Sequence, residues 1–315
     1  MSKNNRVLII DKMHDSIVHL LQQIGIDATY EPTITPEDVF QKIGSFIGLI
    51  VRSKMSVDKA LIDAGSQLKF VARAGAGMDR LDTHYLQEKG IHILNAPEGN
   101  RDAVGEHAIG LLLNLLNKIT TSNEQVKNNQ WKREESRGIE LKNKVVGVYG
   151  FGNTGESLAR KLAGFGCRVL AFDKYRHEFS ASHVEEVSLD EFREKVEILS
   201  LHVPLTNETK WLFDKVELTK YPKLKVVLNT ARGEVLKLDD LIELLEKDHL
   251  LGAGLDVLEN EKIDKLTESQ RGIFDRLTTL SNVILTPHVA GWTHESYERI
   301  NQVLVGKIEA LNLLQ

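Results

Sequence analysis

Short apolar runs alternate with stretches of helical period along most of this chain. Arg6 to Ile10 predicts a strand, Asp15 to Ile24 a helix, and Ile47 to Val51 a second strand, with Leu68 to Ala72 and Ile91 to Leu94 continuing the series. Alternation of this kind predicts a parallel sheet covered by helices on both faces. Near Asn100 the pattern changes to one long helix, from about Asp102 through Leu116, followed by the polar segment Asn123 to Arg137. A second α/β series then runs through Val145–Tyr149, Arg168–Phe172, Ile198–Leu201, Val226–Leu228, Gly254–Val257 and Val283–Leu285. The last stretch, Glu295 to Leu314, is one amphipathic helix with apolar Ile300, Val303, Leu304 and Ile308. It is too short to form a domain, so it is expected to pack back on the first series. The expected fold is therefore α/β with two doubly wound parallel-sheet domains. Residues 1–99 with 289–315 form a discontinuous outer domain, and 100–288 form an inserted one.

The inserted series opens on the most informative local pattern. Gly150-Phe151-Gly152-Asn153-Thr154-Gly155 follows a predicted strand and begins a predicted helix, and a second strand then ends at Asp173. Each glycine has its own reason: a tight turn at Gly150, close approach of the backbone to a pyrophosphate at Gly152, and helix-on-strand packing at Gly155. The helix N-terminus offers free N–H groups and a partial positive charge to the phosphates. Asp173 lies 18 residues past the last glycine, where a carboxylate accepts hydrogen bonds from ribose hydroxyls. The inserted domain thus reads as a Rossmann dinucleotide-binding unit. A carboxylate at this position repels the extra phosphate of NADP and favours NAD, although Lys174 and Arg176 offer partial compensation.

Composition narrows the partners. The net charge of −5 over 315 residues offers no basic field for nucleic acid or anionic lipid. No apolar run is long enough to span a bilayer or to serve as a signal peptide, and the single cysteine, Cys167, allows no intrachain disulfide, so a cytoplasmic setting is expected. The histidines show no HxxxH or HExxH spacing, and no metal site is expected.

Three ionisable residues stand just past predicted strands of the inserted series: Arg232, Glu261 and His288. Ligands of open parallel sheets bind outside the carboxyl ends of the strands, so all three are expected at the cofactor crevice. Arginine offers a planar fork to a carboxylate. Histidine exchanges protons near neutrality, and a carboxylate beside it orients the ring. These are the groups that oxidation of a 2-hydroxy acid by hydride transfer requires.

Seven blocks, in order, carry a resemblance. They are ARAGAGMDRLD (72–82), NAPEGNRDAVGEHAIGLLL (95–113), GVYGFGNTGESLARKLAGFGCRVLAFD (147–173), LHVPLTNETK (201–210), LNTARGEVL (228–236), GAGLDVLENE (252–261) and TPHVAGWT (286–293). Over nearly its full length the chain resembles the D-isomer-specific 2-hydroxyacid dehydrogenases, whose outer domain is flavodoxin-like and binds substrate. The resemblance implies that Arg232 anchors the substrate, His288 is the acid/base and Glu261 is its partner. It implies that Asp256 holds the nicotinamide amide. Asn153, Thr154, Val203 and Thr230 would line the cofactor, with Ala76 and Val104 also against it, and the amides of Ala76 and Gly77 would receive the substrate carboxylate. One departure stands out: Lys262 follows Glu261 where relatives commonly have proline, and Glu259 is a nearby rival carboxylate.

Arg52 and Arg73 match positions that face a phosphate in the D-3-phosphoglycerate dehydrogenases of this family, and Trp131-Lys132-Arg133 resembles a segment reaching toward a neighbouring subunit's site. The resemblance thus implies a homodimer that interconverts 3-phosphoglycerate and 3-phosphohydroxypyruvate in serine synthesis. A glyoxylate or hydroxypyruvate reductase, or a D-lactate-type enzyme, is the alternative within the family. An NAD-sensing corepressor-like interaction protein is the alternative from another class. The sequence ends at Gln315 directly after its last predicted helix, so no serine-sensing domain is expected. Initial rates titrated with serine are expected to stay flat, and dose-dependent inhibition would contradict this.

Overall fold

The computed structural model describes residues 5–313, which divide into two units. One comprises the residues up to Asn100 together with those from Trp292 on, and the other is Arg101–Gly291. These boundaries fall one and three residues later than the sequence pattern suggests.

The first unit is built on five strands: β1 (Arg6–Ile9), β2 (Asp27–Tyr30), β3 (Gly48–Val51), β4 (Phe70–Arg73) and β5 (His92–Asn95). All pair in parallel, in the order β2-β1-β3-β4-β5, which is the flavodoxin-like arrangement. Alternate residues of each strand serve opposite faces. Val7, Ile9, Ile50 and Phe70 pack beneath the helices Ser16–Gln23 and His294–Glu309, while Leu8, Leu49, Val51 and Val71 pack beneath Val39, Leu61 and Leu86. The closing helix contributes Ile300, Leu304, Val305 and Ile308 to this core. It ends at Glu309, short of the expected Leu314, which lies outside the described residues. Strand β2 escaped the sequence pattern because Asp27-Ala-Thr-Tyr30 is a half-exposed edge with no apolar run.

The second unit carries seven parallel strands: β6 (Val145–Tyr149), β7 (Arg168–Phe172), β8 (Glu185–Glu186), β9 (Ile198–Leu201), β10 (Val226–Asn229), β11 (Gly252–Leu255) and β12 (Val283–Leu285). Their order is β12-β11-β10-β9-β6-β7-β8, so the direction of winding reverses between β6 and β9. That reversal opens the crevice in which doubly wound sheets bind ligands. The helix Pro97–Asn117 starts five residues before the expected Asp102, with Pro97 at its first position, where a missing N–H costs nothing. Within this unit the helix packs so closely on β11 that a side chain at Gly254 would stand 3.0 Å from the Leu111 Cβ. The strand begins at Gly252, two residues before the expected Gly254, because Gly252 and Ala253 already pair with Val226 and Val227 of β10.

Among the described residues no helix is long and apolar enough to cross a membrane, and no group of three or more potential metal ligands occurs.

Candidate active site

Because β10, β11 and β12 are adjacent and parallel, their carboxyl ends lie along one edge of the sheet. Arg232 follows β10, Glu261 follows β11 and His288 follows β12. The His288 Nδ1 lies 2.8 and 3.0 Å from the two Glu261 carboxylate oxygens, which leaves Nε2 as the ring atom available for chemistry. Both side chains are about half exposed. A hollow of about 390 Å³ adjoins them, walled by Leu258, Ile263, Phe274, Leu285 and Pro287.

The rival carboxylate is occupied elsewhere. Glu259 accepts the Leu238 N–H at 2.8 Å at the start of helix Leu238–Glu246, and burial raises its pKa. Asn260 stands in for the absent proline by accepting the Lys262 N–H at 3.0 Å, a contact proline could not make, while its own amide reaches Gln270.

Each loop is held by a side chain beneath it. Asn229 accepts the Ala231 N–H at 3.0 Å and donates to the Arg232 carbonyl at 2.9 Å, which fixes the turn that presents Arg232. Arg232 itself donates to the Ala231 carbonyl at 2.7 Å. Gly233 touches the neighbouring loop directly: a Cβ there would fall 1.9 Å from the Leu258 carbonyl. Asp256, only 1% exposed, accepts from the Thr286 hydroxyl at 2.6 Å and from the Val289 and Ala290 N–H groups at 2.9 and 2.8 Å. Its carbonyl also takes the His288 N–H at 2.8 Å. This grip holds His288 at φ +55°, a conformation uncommon outside glycine. The visible task of Asp256 is therefore to hold the His288 loop.

His107, Thr286 and Asn229 were not singled out from sequence. The Thr286 hydroxyl has one proton and gives it to a carboxylate, so the His107 Nε2, 2.9 Å away, must donate to the Thr286 oxygen. Sequence spacing gives no sign of this contact, because His107 and Thr286 are 179 residues apart.

The glycine turn has the form a dinucleotide requires. Gly150 has φ +93° and sits against the His202 and Val203 segment, while a side chain at Gly155 would strike the Gly150 carbonyl at 2.2 Å. Nothing lies within 4 Å of where a Gly152 side chain would stand, and the helix Asn153–Leu162 has no side-chain cap, so its first N–H groups are available. The buried Thr230 hydroxyl has no hydrogen-bond partner among the described residues. Asp173 accepts the Phe151, Tyr175 and Arg176 N–H groups at 2.7, 2.9 and 2.9 Å and so ties the turn to the end of β7. Lys174 pairs with Glu208 and Arg176 with Glu156 and the Phe151 carbonyl. The Thr154 hydroxyl meets His202, and Val104 is buried in its helix. In the first unit, Ala76 and Gly77 are partly exposed past β4, and Ala76 accepts from Asn95 at 2.8 Å. Arg73 curls over Gly75 and donates to the Ala74 carbonyl at 3.4 Å, whereas Arg52 lies against Trp292.

These features define a dinucleotide-binding α/β protein with a carboxylate–histidine pair at its strand ends. Residues 109–290 match the family described as D-isomer specific 2-hydroxyacid dehydrogenase, NAD binding domain. The chain belongs to that family. It is 35% identical over 260 residues to a hydroxypyruvate reductase of Thermotoga maritima, covering 82% of this chain and 83% of that one. It is 30% identical over 305 residues to a D-3-phosphoglycerate dehydrogenase of Archaeoglobus fulgidus, covering 96% of this chain but 56% of that protein. The chain thus spans about half the length of the phosphoglycerate dehydrogenases it matches. A D-lactate dehydrogenase of Aquifex aeolicus, solved with NAD and lactic acid, superposes with a TM-score of 0.82 at 27% identity, covering 98% of this chain and 95% of that one.

His202 lies beneath the cofactor turn, bridging Ser200 at 2.8 Å and Thr154 at 3.1 Å. Burial lowers its pKa from 6.5 to about 4, so the folded ring is neutral, donating on one side and accepting on the other. Between these two values the unfolded chain binds a proton that the fold excludes. Stability is therefore full above pH 6.5 and is lost as pH falls toward 4, with about 2 kcal/mol gone by pH 5. Denaturant titrations at pH 7 and pH 5 should show a stability drop smaller by about that amount in His202→Gln. Equal drops in both proteins would contradict the assignment.

Proposed function

We propose that this chain is an NAD-dependent 2-hydroxyacid dehydrogenase whose preferred pair is 3-phosphoglycerate and 3-phosphohydroxypyruvate, which would place it in serine synthesis. The observation that carries the dehydrogenase reading is the His288–Glu261 contact, which leaves Nε2 as the ring nitrogen available, with Glu261 on the loop whose Leu258 meets Gly233, next to Arg232. NADH, when bound, supplies the hydride for C2 of the oxo acid. His288 Nε2 gives the proton that the carbonyl oxygen takes up, and it recovers that proton in the reverse direction. Glu261 fixes the ring with Nδ1 toward its carboxylate. Arg232 offers its guanidinium to the substrate carboxylate and polarises the carbonyl. On the cofactor side, the amides after Gly152 would take the pyrophosphate, Asp173 the ribose and Thr230 a polar group of the cofactor. Asn153, Thr154 and Val203 would line the same groove. Any contact of Asp256 with the nicotinamide amide would share a carboxylate already bound to the His288 loop. Val104 would face the nicotinamide in this reading, and the first unit would offer the Ala76 and Gly77 amides to a substrate carboxylate.

The phosphorylated substrate is supported by Arg52 and Arg73 and by likeness to phosphoglycerate dehydrogenases. Hydroxypyruvate is the second reading, favoured by the Thermotoga maritima relative, which matches over most of its own length. A homodimer is supported by helix Ile119–Lys127, none of whose residues is buried, and by the adjoining Trp131, which is 83% exposed.

His288→Ala should lower kcat by roughly 10²–10⁴-fold and leave NADH affinity nearly unchanged. Full turnover in that variant would remove the acid/base role. Substrate choice is read from kcat/KM for 3-phosphohydroxypyruvate, hydroxypyruvate and glyoxylate, followed by NADH absorbance. The phosphorylated acid is expected to lead. A lead for either of the others would discard the phosphate reading and leave the dehydrogenase reading standing.

A further inference from the structure

Arg52 leaves β3 on a backbone with little freedom. The buried Asp11 carboxylate accepts three successive N–H groups, from Arg52 at 2.7 Å, Ser53 at 3.2 Å and Lys54 at 3.0 Å. The Lys54 ammonium is spent on the Pro32 and Ile34 carbonyls. The Arg52 side chain then lies over the Trp292 indole, its guanidinium carbon 3.6 Å from the ring centroid. No carboxylate or carbonyl among the described residues accepts from that guanidinium. One face of the cation is covered by the indole, so its in-plane N–H donors are the part left to bind. Burial lowers its pKa, and Asp11 is already committed to backbone N–H groups. The Asp11 charge thus attracts Arg52 without accepting from its guanidinium, whose in-plane donors stay open.

Trp292 is fixed by the chemistry of a helix start. Thr293 is the N-cap of helix His294–Glu309 and forms a reciprocal capping box with Ser296. Trp292 is then the residue before the cap and Tyr297 the fourth of the helix, the two positions that pack together as a hydrophobic staple. Their rings do so, with centroids 4.7 Å apart. His14 meets the same tyrosine edge-on at 5.8 Å. A tryptophan 44% exposed to solvent is thus held in place from behind and offers its face to Arg52.

We propose that Trp292 is a specificity-determining positioning residue, which holds the Arg52 guanidinium edge-on for a second oxyanion of the substrate, a phosphate ester at the end remote from the 2-oxo group. The inference rests on the substrate reading above and adds the residue that makes Arg52 selective. A free arginine must surrender rotamer freedom on meeting a phosphate, whereas one pinned on an indole has already done so. A planar guanidinium edge also matches two phosphate oxygens at once.

The test uses the full chain and compares 3-phosphohydroxypyruvate, oxaloacetate and hydroxypyruvate in wild type, Trp292→Leu and Trp292→Phe. In Trp292→Leu the KM for the phosphorylated acid should rise roughly tenfold relative to that for hydroxypyruvate, about the effect of immobilising one long side chain. The kcat should follow far less, and Trp292→Phe should restore most of the discrimination, because a phenyl face also stacks with arginine. Arg52→Gln, which keeps the ring platform, should reproduce the loss even if Trp292→Leu folds poorly. An equal rise in KM for all three acids, or none, would overturn the proposal, as would a loss confined to oxaloacetate. Should no oxo acid be turned over, the substrate reading fails by itself and the clamp is judged by calorimetry with 3-phosphoglycerate and D-glycerate. A roughly tenfold weaker affinity of Trp292→Leu for the phosphorylated ligand alone supports the clamp, and unchanged affinities refute it.

Discussion

The geometry of the site depends on one buried anion. Asp256 is almost wholly excluded from water, and a carboxylate in that position must collect hydrogen-bond donors from the protein. It finds them in the segment from Thr286 to Ala290, and in doing so dictates that segment's path. The path includes a left-handed residue, and that residue is His288. Backbone strain is thus tolerated where chemistry is expected, because the surrounding hydrogen bonds over-determine it. The imidazole emerges at the one place where Glu261 can meet it, with its outer nitrogen clear.

Most of the architecture was legible in the chain because its signals are local. Parallel strands buried on both faces read as unbroken apolar runs, and the glycine turn between β6 and its helix is a contiguous motif. The α/β class with two parallel sheets follows from these, and the solved relatives share it. Signals failed where the local rule was weak. Strand β2 is an edge whose polar residues face water, and β8 is two glutamates paired to β7 by backbone alone. Strand β11 begins two residues before the expected position because Gly252 and Ala253, which carry no apolar strand signal, pair with β10 through the backbone.

The site divides in the same way. The residues past each strand could be named in advance, since chain order and strand direction place them. Their supports could not. The contact between His107 and Thr286 joins positions far apart in sequence, and the grip of Asn229 on its own turn depends on a backbone path that only the fold supplies. The choice between Glu259 and Glu261 was a matter of which carboxylate a helix start had already claimed. The same holds for Arg52, whose partner is an indole placed by the capping of the last helix.

The bare contact at Gly233 has a consequence for how this site can vary. Two loops, one presenting Arg232 and the other Glu261, meet there with no side chain between them. Such a seam transmits displacement without damping, since packed backbone has no soft rotamer to absorb it. The two loops are one mechanical part. A change in either loop would move Arg232 and Glu261 together, so a lineage that alters one position must answer at the other.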